Sequence, residues 1–128
     1  MTELKAAAVV TGTIARWSAL FAARDWGALA GLYAPGALFY GSAPRLYVGR
    51  AEIESYFRAL PDDIALLGFA PPVAADLAPG VAGYAGEVDF SLGGRVLPFR
   101  MMWTICVGAD GGSEIVAHHA APRAVSLG

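Results

Sequence analysis

Two histidines stand side by side near the end of the chain, in the segment EIVAHHAAP at positions 114–122, and no third histidine exists. Adjacent histidines of this kind indicate a metal site, a catalytic base, or two strand positions that face opposite ways. Neighbouring residues of a β-strand point to opposite faces of the sheet, so His118 and His119 cannot chelate one ion together. No Cys or His cluster completes a site, and we expect no bound metal.

Other chemical motifs are absent from the sequence. It has no G-x-S-x-G nucleophile turn, no P-loop lysine and no G-x-G-x-x-G after a predicted strand, so no cofactor is expected. Cys106, the only cysteine, lies within a predicted strand with neither histidine opposite it. We interpret it as a structural residue.

Composition limits the class of protein. The 128 residues predict one domain over positions 1–128. Apolar residues make up 56% and charged residues 16%, which leaves more apolar surface than a monomer of this size easily hides. We therefore expect a buried cavity, an oligomer interface or both.

Partners and location follow from the same numbers. The 9 basic and 11 acidic residues are scattered, without the basic patch that nucleic-acid binding requires. The longest apolar stretch, IALLGFAPPVAA, is too short to cross a bilayer. We predict a soluble, cytoplasmic protein that binds neither nucleic acid nor membrane.

Three helices are predicted in the first half of the chain, because apolar residues recur there every three or four positions. The first ends near Arg24, and Asp25 caps a second helix, WGALAGLYA, that ends at Pro35. A hairpin of ALFYG and RLYVG precedes the third. The apolar positions of the first and third helices are Val10, Ile14, Trp17 and Phe21, and Ile53, Tyr56, Phe57 and Leu60.

Four strands are predicted after Ile64: IALLGFAPPVAADL, GVAGYAGEVDFSL, RVLPFRMMWTICVG and SEIVAHHAAP. Gly93 and Gly94 form a two-residue hairpin turn, and the next loop spans residues 109–112. Helices followed by an antiparallel meander predict an α+β fold.

The turns also predict the pairing of the strands. Leu92 opposite Arg95 places Glu87 opposite Arg100, and Gly108 opposite Ser113 places His118 opposite Trp103. One face of the sheet then carries Tyr84, Val88, Phe90, Leu97, Phe99, Met101, Trp103, Ile105, Val116 and His118. The other carries Glu87, Asp89, Ser91, Pro98, Arg100, Met102, Thr104, Cys106, Ile115 and His119.

The aromatic face is expected to receive the helices. His118 would then be either a core histidine hydrogen-bonded to backbone or water, or a residue that faces a cavity for a small apolar molecule. Its pKa should lie below about 6.5 because burial disfavours the charged ring. The lining predicted for this cavity is Trp17, Phe21, Phe57, Trp103 and His118. A one-residue slip of the last hairpin would exchange the two histidines and bring Arg100 into the cavity.

The outer face predicts an interface. Glu87, Arg100 and His119 would cluster there, either as an exposed ion pair or as part of a contact buried when two sheets meet. Together with the excess of apolar residues, this cluster predicts a homodimer.

Three stretches, IARWSALFAARDWGALAGLYAPGALFY, YVGRAEIESYF and DGGSEIVAHHAAP, resemble the nuclear-transport-factor-2-like (SnoaL-like) superfamily, in particular the branch related to the calcium/calmodulin-dependent kinase association domain. The resemblance implies a cystatin-like cone, in which a curved antiparallel sheet wraps around the N-terminal helices and encloses a pocket. It also implies dimers. Ketosteroid isomerases of this superfamily place their base aspartate where this chain has Gly41, so that chemistry is not expected.

Two classes of function stay open at this stage, because the superfamily hosts both. The first is a non-catalytic small-molecule-binding or assembly domain that uses an apolar cavity. The second is an enzyme of isomerase, cyclase or dehydratase type, with His118 as its acid or base.

Overall fold

The computed structural model describes residues 5–123. Its helices are α1 (Ala6–Ala22), α2 (Trp26–Ala30) and α3 (Arg50–Arg58). Its strands are β1 (Tyr33–Tyr40), β2 (Tyr47–Val48), β3 (Ala65–Phe69), β4 (Val73–Ala78), β5 (Val81–Leu92), β6 (Arg95–Val107) and β7 (Ser113–Pro122). The predicted order of helix, helix, hairpin, helix and sheet is confirmed, and so is the α+β class.

The helices cover one face of the sheet. Val10, Trp17 and Phe21 of α1 are buried, as their spacing predicts. Asp25 caps α2 as expected, because its side chain accepts a hydrogen bond of 3.1 Å from the backbone N–H of Ala28.

The second helix is shorter than predicted. It ends at Ala30, and Tyr33 is the first residue of β1 rather than part of a helical stripe. The reason is tertiary pairing: the backbone N–H of Ile115 in β7 donates to the carbonyl of Leu32 at 2.9 Å. Pairing with β7 thus overrides a weak helical pattern at this point.

The described residues form a seven-stranded sheet in the order β2-β1-β7-β6-β5, with β3 and β4 both on the far side of β5. The pairs β5–β6 and β6–β7 are antiparallel, as the meander predicts. The pair β1–β7 is parallel, so the sheet is mixed at this position rather than antiparallel throughout.

The stretch at positions 64–77 was predicted as one strand, and the structure divides it into β3 and β4. Both pair with β5, through Phe69 opposite Val88 and Val73 opposite Ala85. The break holds Pro71 and Pro72, which have no N–H to donate to a neighbouring strand.

The β5–β6 hairpin has the predicted register, with Leu92 opposite Arg95 and Glu87 opposite Arg100. Gly93 and Gly94 have φ angles of 57° and 80°. A two-residue turn with both central residues in the left-handed region matches the twist of the strands it joins, and glycine adopts it without steric cost.

The β6–β7 hairpin reaches the predicted pairing of the histidines by a different route. Val107, not Gly108, pairs with Ser113, which shifts the start of the ladder by one residue. A bulge at Val116 then restores the register, so that His118 lies opposite Trp103. Between the turn and the bulge, the predicted faces are therefore wrong: Ile115, predicted to face outward, is buried, and Val116, predicted to face inward, is only half-buried.

None of the helices within residues 5–123 is both long enough and apolar enough to cross a membrane.

Candidate ligand-binding cavity

A cavity of about 250 Å³ lies between the helices and the concave face of the sheet. Its closed end is formed by buried residues: Trp17, Phe21, Phe39, Phe57, Phe90, Met101, His118 and Ala120. Its mouth is formed by half-buried and exposed residues: Ser42, Tyr56, Leu60, Pro61, Ile64, Leu92, Leu97 and Phe99. The wall is therefore mostly aromatic and aliphatic.

None of these lining residues is Asp, Glu, Lys or Arg. Side-chain nitrogen or oxygen atoms come from Ser42 and Tyr56 at the mouth and from Trp17 and His118 at the closed end, where the Nε1–H of Trp17 is already bonded to the Tyr33 hydroxyl. A charged ligand would lose its hydration here without meeting an opposite charge. The lining thus favours an uncharged molecule.

Two aromatic side chains form hydrogen bonds to His118, and a third forms a hydrogen bond to one of them. The Nε1–H of Trp103 donates to Nδ1 of His118 at 2.9 Å, and the Tyr33 hydroxyl lies 2.9 Å from the same Nδ1. Trp17 in turn donates from its Nε1–H to the Tyr33 hydroxyl oxygen at 3.0 Å. All four side chains are buried, so this chain of hydrogen bonds crosses the core behind the closed end.

The network determines the tautomer of His118. An indole N–H is only a donor, so Nδ1 must accept from Trp103 and cannot carry a proton. The Tyr33 hydroxyl accepts from Trp17 and donates its own proton to Nδ1. The proton of the neutral imidazole is therefore on Nε2.

Burial keeps the ring uncharged. Desolvation, and to a smaller extent the electrostatic effect of His119, lower the pKa of His118 from 6.5 to about 3. This is the direction that the sequence predicted. Burial likewise raises the pKa of Tyr33 far above its ordinary value. Both groups are neutral at physiological pH.

The His118 ring has a fixed orientation. Phe39 stacks on it with ring centroids 4.0 Å apart and an angle of 21° between the planes. Phe39 of β1 lies directly opposite His118 of β7 in the parallel pair of strands. The stacking and the two hydrogen bonds to Nδ1 together restrict both side-chain torsions of the histidine.

The structure brings together most of the residues predicted for the cavity. Trp17, Phe21, Phe57 and His118 line it. Trp103 does not line it but lies behind His118, as the donor to Nδ1. Sequence reasoning missed Phe39 and Tyr33. The strand pattern of ALFY offered a signal for Phe39, which alternates with the exposed Leu38 and Tyr40.

The mouth contains a small polar group next to a glycine. The Tyr56 hydroxyl accepts a hydrogen bond of 2.9 Å from the backbone N–H of Ser42 and lies 2.8 Å from its hydroxyl. A Cβ added at Gly41 would lie 2.5 Å from Cζ of Tyr56. The ring of Tyr56 therefore occupies the space that the resemblance to ketosteroid isomerases assigns to an aspartate.

One rim of the mouth is held by Arg24, which follows α1 with a positive φ of 54°. Its guanidinium donates to the carbonyl oxygens of Ile64 at 3.2 Å, Pro61 at 3.3 Å and Asp62. Pro61 and Ile64 both line the cavity. Arg24 thus ties the end of α1 to the loop that borders the entrance.

The residues predicted for an interface lie on the other face of the sheet. Glu87, Arg100 and His119 are all exposed. Glu87 lies opposite Arg100 in the ladder, but its ion pair is with Arg123, at 3.9 Å. Within residues 5–123, Arg100 takes part in no ion pair.

Comparison with solved structures identifies the fold. The chain is similar to an NTF2-like protein with a cystatin-like fold from Novosphingobium aromaticivorans, with a TM-score of 0.76 and 20% identity over 92% of this chain and 82% of that one. It is also similar to a putative calcium/calmodulin-dependent protein kinase II association domain from Xanthomonas campestris, with a TM-score of 0.78 and 22% identity over 88% and 84%. A ketosteroid isomerase-like protein from Erwinia carotovora atroseptica gives a TM-score of 0.71 and 15% identity over 91% and 95%.

The chain therefore has the NTF2-like, cystatin-like fold, which confirms the resemblance seen in its sequence. No family model and no curated protein matches the chain. At these identities the comparisons define the architecture, and the same architecture carries isomerase-like proteins and association domains. Function has to be argued from the cavity itself.

Proposed function

We propose that this protein binds a small, uncharged, largely apolar molecule in the cavity between the helices and the sheet. The observation that carries the proposal is the lining: a mostly aromatic and aliphatic wall with no charged side chain and with His118 at its closed end. Binding sites for small molecules typically combine such a wall with a few placed polar groups.

The volume sets the size of the molecule. An apolar cavity of about 150 Å³ holds one benzene ring. A cavity of about 250 Å³ is therefore matched to two fused rings. This estimate makes bicyclic aromatic compounds the first candidates.

The alternative is an enzyme in which His118 is the acid or base. At neutral pH the lowered pKa leaves His118 without a proton to give from an imidazolium. Nδ1, the nitrogen that has a lone pair, is occupied by Trp103 and Tyr33. These two facts favour binding over acid–base catalysis as the role of the cavity.

Filling the cavity tests the proposal. Ala120 is buried on the same face of β7 as His118 and lines the cavity. We expect Ala120→Leu to reduce the affinity for naphthalene at least tenfold, because the larger side chain occupies the space of the ligand. Calorimetry or the change in tryptophan emission measures the affinity.

The matched control is Ala121→Leu, which places the same side chain on the next residue, where it points away from the cavity. This variant should bind naphthalene as the wild type does. Failure of the wild type to bind naphthalene and other bicyclic compounds, or equal binding by Ala120→Leu, would argue against the cavity as a ligand site.

We further propose that two copies of the chain associate through the outer face of the sheet. His119 lies there between Tyr40 of β1 and Met102 of β6. Tyr40, Met102 and the neighbouring Leu38 are 45%, 60% and 50% exposed, although all three are large and apolar. A contiguous apolar strip of this kind is typical of an interface.

A charge in the middle of this strip should separate the copies. Met102→Glu is expected to give the mass of a monomer in light scattering at micromolar concentration, where the wild type gives a dimer. Leu46→Glu changes an exposed leucine in the loop before β2 and should leave the dimer intact. A wild-type protein that is monomeric under these conditions contradicts the proposal.

A further inference from the structure

Nε2 of His118 is a donor with no hydrogen-bond partner among the described residues. Among the same residues, the only side-chain nitrogen or oxygen that is both fully buried and unpartnered is the Tyr84 hydroxyl. Nε2 is therefore within reach of solvent-sized molecules. His118 lines the cavity and is only 6% exposed, so this access runs through the cavity.

We propose that the closed end of the cavity selects ligands that present an uncharged hydrogen-bond acceptor, such as a ketone oxygen, to the Nε2–H of His118. Trp103 and Tyr33 are the positioning residues, because their hydrogen bonds to Nδ1 force the proton onto Nε2. The inference rests on the proposed binding function and adds the chemistry and orientation of the ligand.

Two properties of the site restrict the leading group of the ligand: Nε2–H is a donor, and the lining has no cation. A group that only donates, such as an ammonium or an indole N–H, would oppose one donor with another. A carboxylate would accept the hydrogen bond, but it would be desolvated where the lining offers no cation. An uncharged carbonyl oxygen satisfies Nε2–H without either cost.

The positions of the polar groups give the orientation. His118 is at the buried end of the cavity, and the exposed Ser42 is at its mouth. The other side-chain nitrogen and oxygen atoms of the lining are Nε1 of Trp17, which is bonded to Tyr33, and the hydroxyl of Tyr56, which is bonded to Ser42. The ligand therefore enters with its acceptor first and leaves its other end at the mouth.

Two compounds with one carbon skeleton test the inference. 1-Tetralone and tetralin both have two fused rings, and only the first has a carbonyl oxygen. The variant is His118→Asn, whose side-chain oxygen stands where Nδ1 does and can accept from Trp103 and Tyr33. It has no donor at the position of Nε2, so it removes the proposed contact and keeps the network.

We expect His118→Asn to weaken the binding of tetralone about fivefold or more beyond any effect on tetralin, which corresponds to one uncharged hydrogen bond. Comparing the two changes cancels the different hydration of the free compounds. If both compounds bind the wild type and the substitution affects them equally, ligand binding stands and the role of Nε2–H is wrong. If neither compound binds, the proposed function fails as well.

A measurement on the wild type decides the question even where the variant does not fold. In nitrogen-15 spectra, His118 should show a protonated Nε2 and an unprotonated Nδ1 between pH 5 and pH 8. Tetralone should shift the Nε2–H resonance, and tetralin should leave it in place. A proton on Nδ1, or equal shifts with the two compounds, would overturn the inference.

Discussion

As the pH is lowered from roughly 5.5 to 4, the titration of His118 alone should reduce the free energy of unfolding by about 1.4 kcal/mol for each pH unit. In the folded protein burial lowers the pKa of His118 to about 3, whereas an unfolded chain protonates histidine near pH 6.5. Between these values only the unfolded state binds the proton. This loss of stability is therefore absent above pH 6.5, and it grows as the pH falls toward 3.

Urea denaturation at a series of pH values measures this loss. The wild type is compared with His118→Asn, which cannot take up the proton, and with His119→Asn, which keeps the buried histidine and removes its exposed neighbour. Carboxylates titrate in all three proteins and cancel in the comparison. The stability of His118→Asn should depend least on pH, and three parallel curves would contradict the prediction.

Tyr33→Phe should lower the free energy of unfolding by about 2–3 kcal/mol. The Tyr33 hydroxyl accepts from Trp17 and donates to His118, and its side chain is wholly buried. Its removal leaves the indole N–H of Trp17 in the core without an acceptor. A buried donor that loses its partner costs more than the net value of a hydrogen bond.

Tyr40→Phe is the matched control for this substitution. Tyr40 belongs to the same strand, is 45% exposed in the single chain, and forms no side-chain hydrogen bond within residues 5–123, so its substitution leaves no buried donor without an acceptor. The effect should stay within about 0.5 kcal/mol. If Tyr33→Phe costs as little as Tyr40→Phe, the hydrogen bonds behind the cavity do not contribute to stability.

The fold was predictable where local chemistry determines it. The spacing of Val10, Trp17 and Phe21 fixes the buried side of α1, and Gly93-Gly94 fixes the register of a long hairpin. These signals act between residues that are close in the sequence. The three stretches that resemble NTF2-like proteins supplied the arrangement of helices on the sheet, which no local pattern contains.

The parts that could not be predicted depend on contacts between distant positions. The parallel pairing of β1 with β7 joins residues about eighty positions apart, and no turn sequence announces it. That pairing places Phe39 against His118 and makes Tyr33 a strand residue. Periodicity therefore predicts at most that Phe39 faces inward, and it does not predict that Phe39 and Tyr33 contact the histidine.

The histidine register was right although its derivation contained an error. The turn is one residue longer than predicted, and the extra residue Val116 in β7 compensates for the shift. Alternation of strand residues predicts one face correctly only as far as the next bulge. This is why His118 was placed correctly while Ile115 and Val116 were interchanged.

The bulge also affects how insertions and deletions in this strand would be interpreted. Ile115 and Ala117 pair with consecutive residues of β6, Ile105 and Thr104, so a chain lacking Val116 could form an unbroken ladder with the same inward side chains. Such a relative would be one residue shorter between the last turn and its histidine. An alignment that places a gap in the turn or at Val116 matches the relative's inward histidine to His118. An alignment that runs from the turn without a gap matches that histidine to Ala117 instead. Transfer of a binding role between such chains therefore depends on placing the gap at position 116 or earlier.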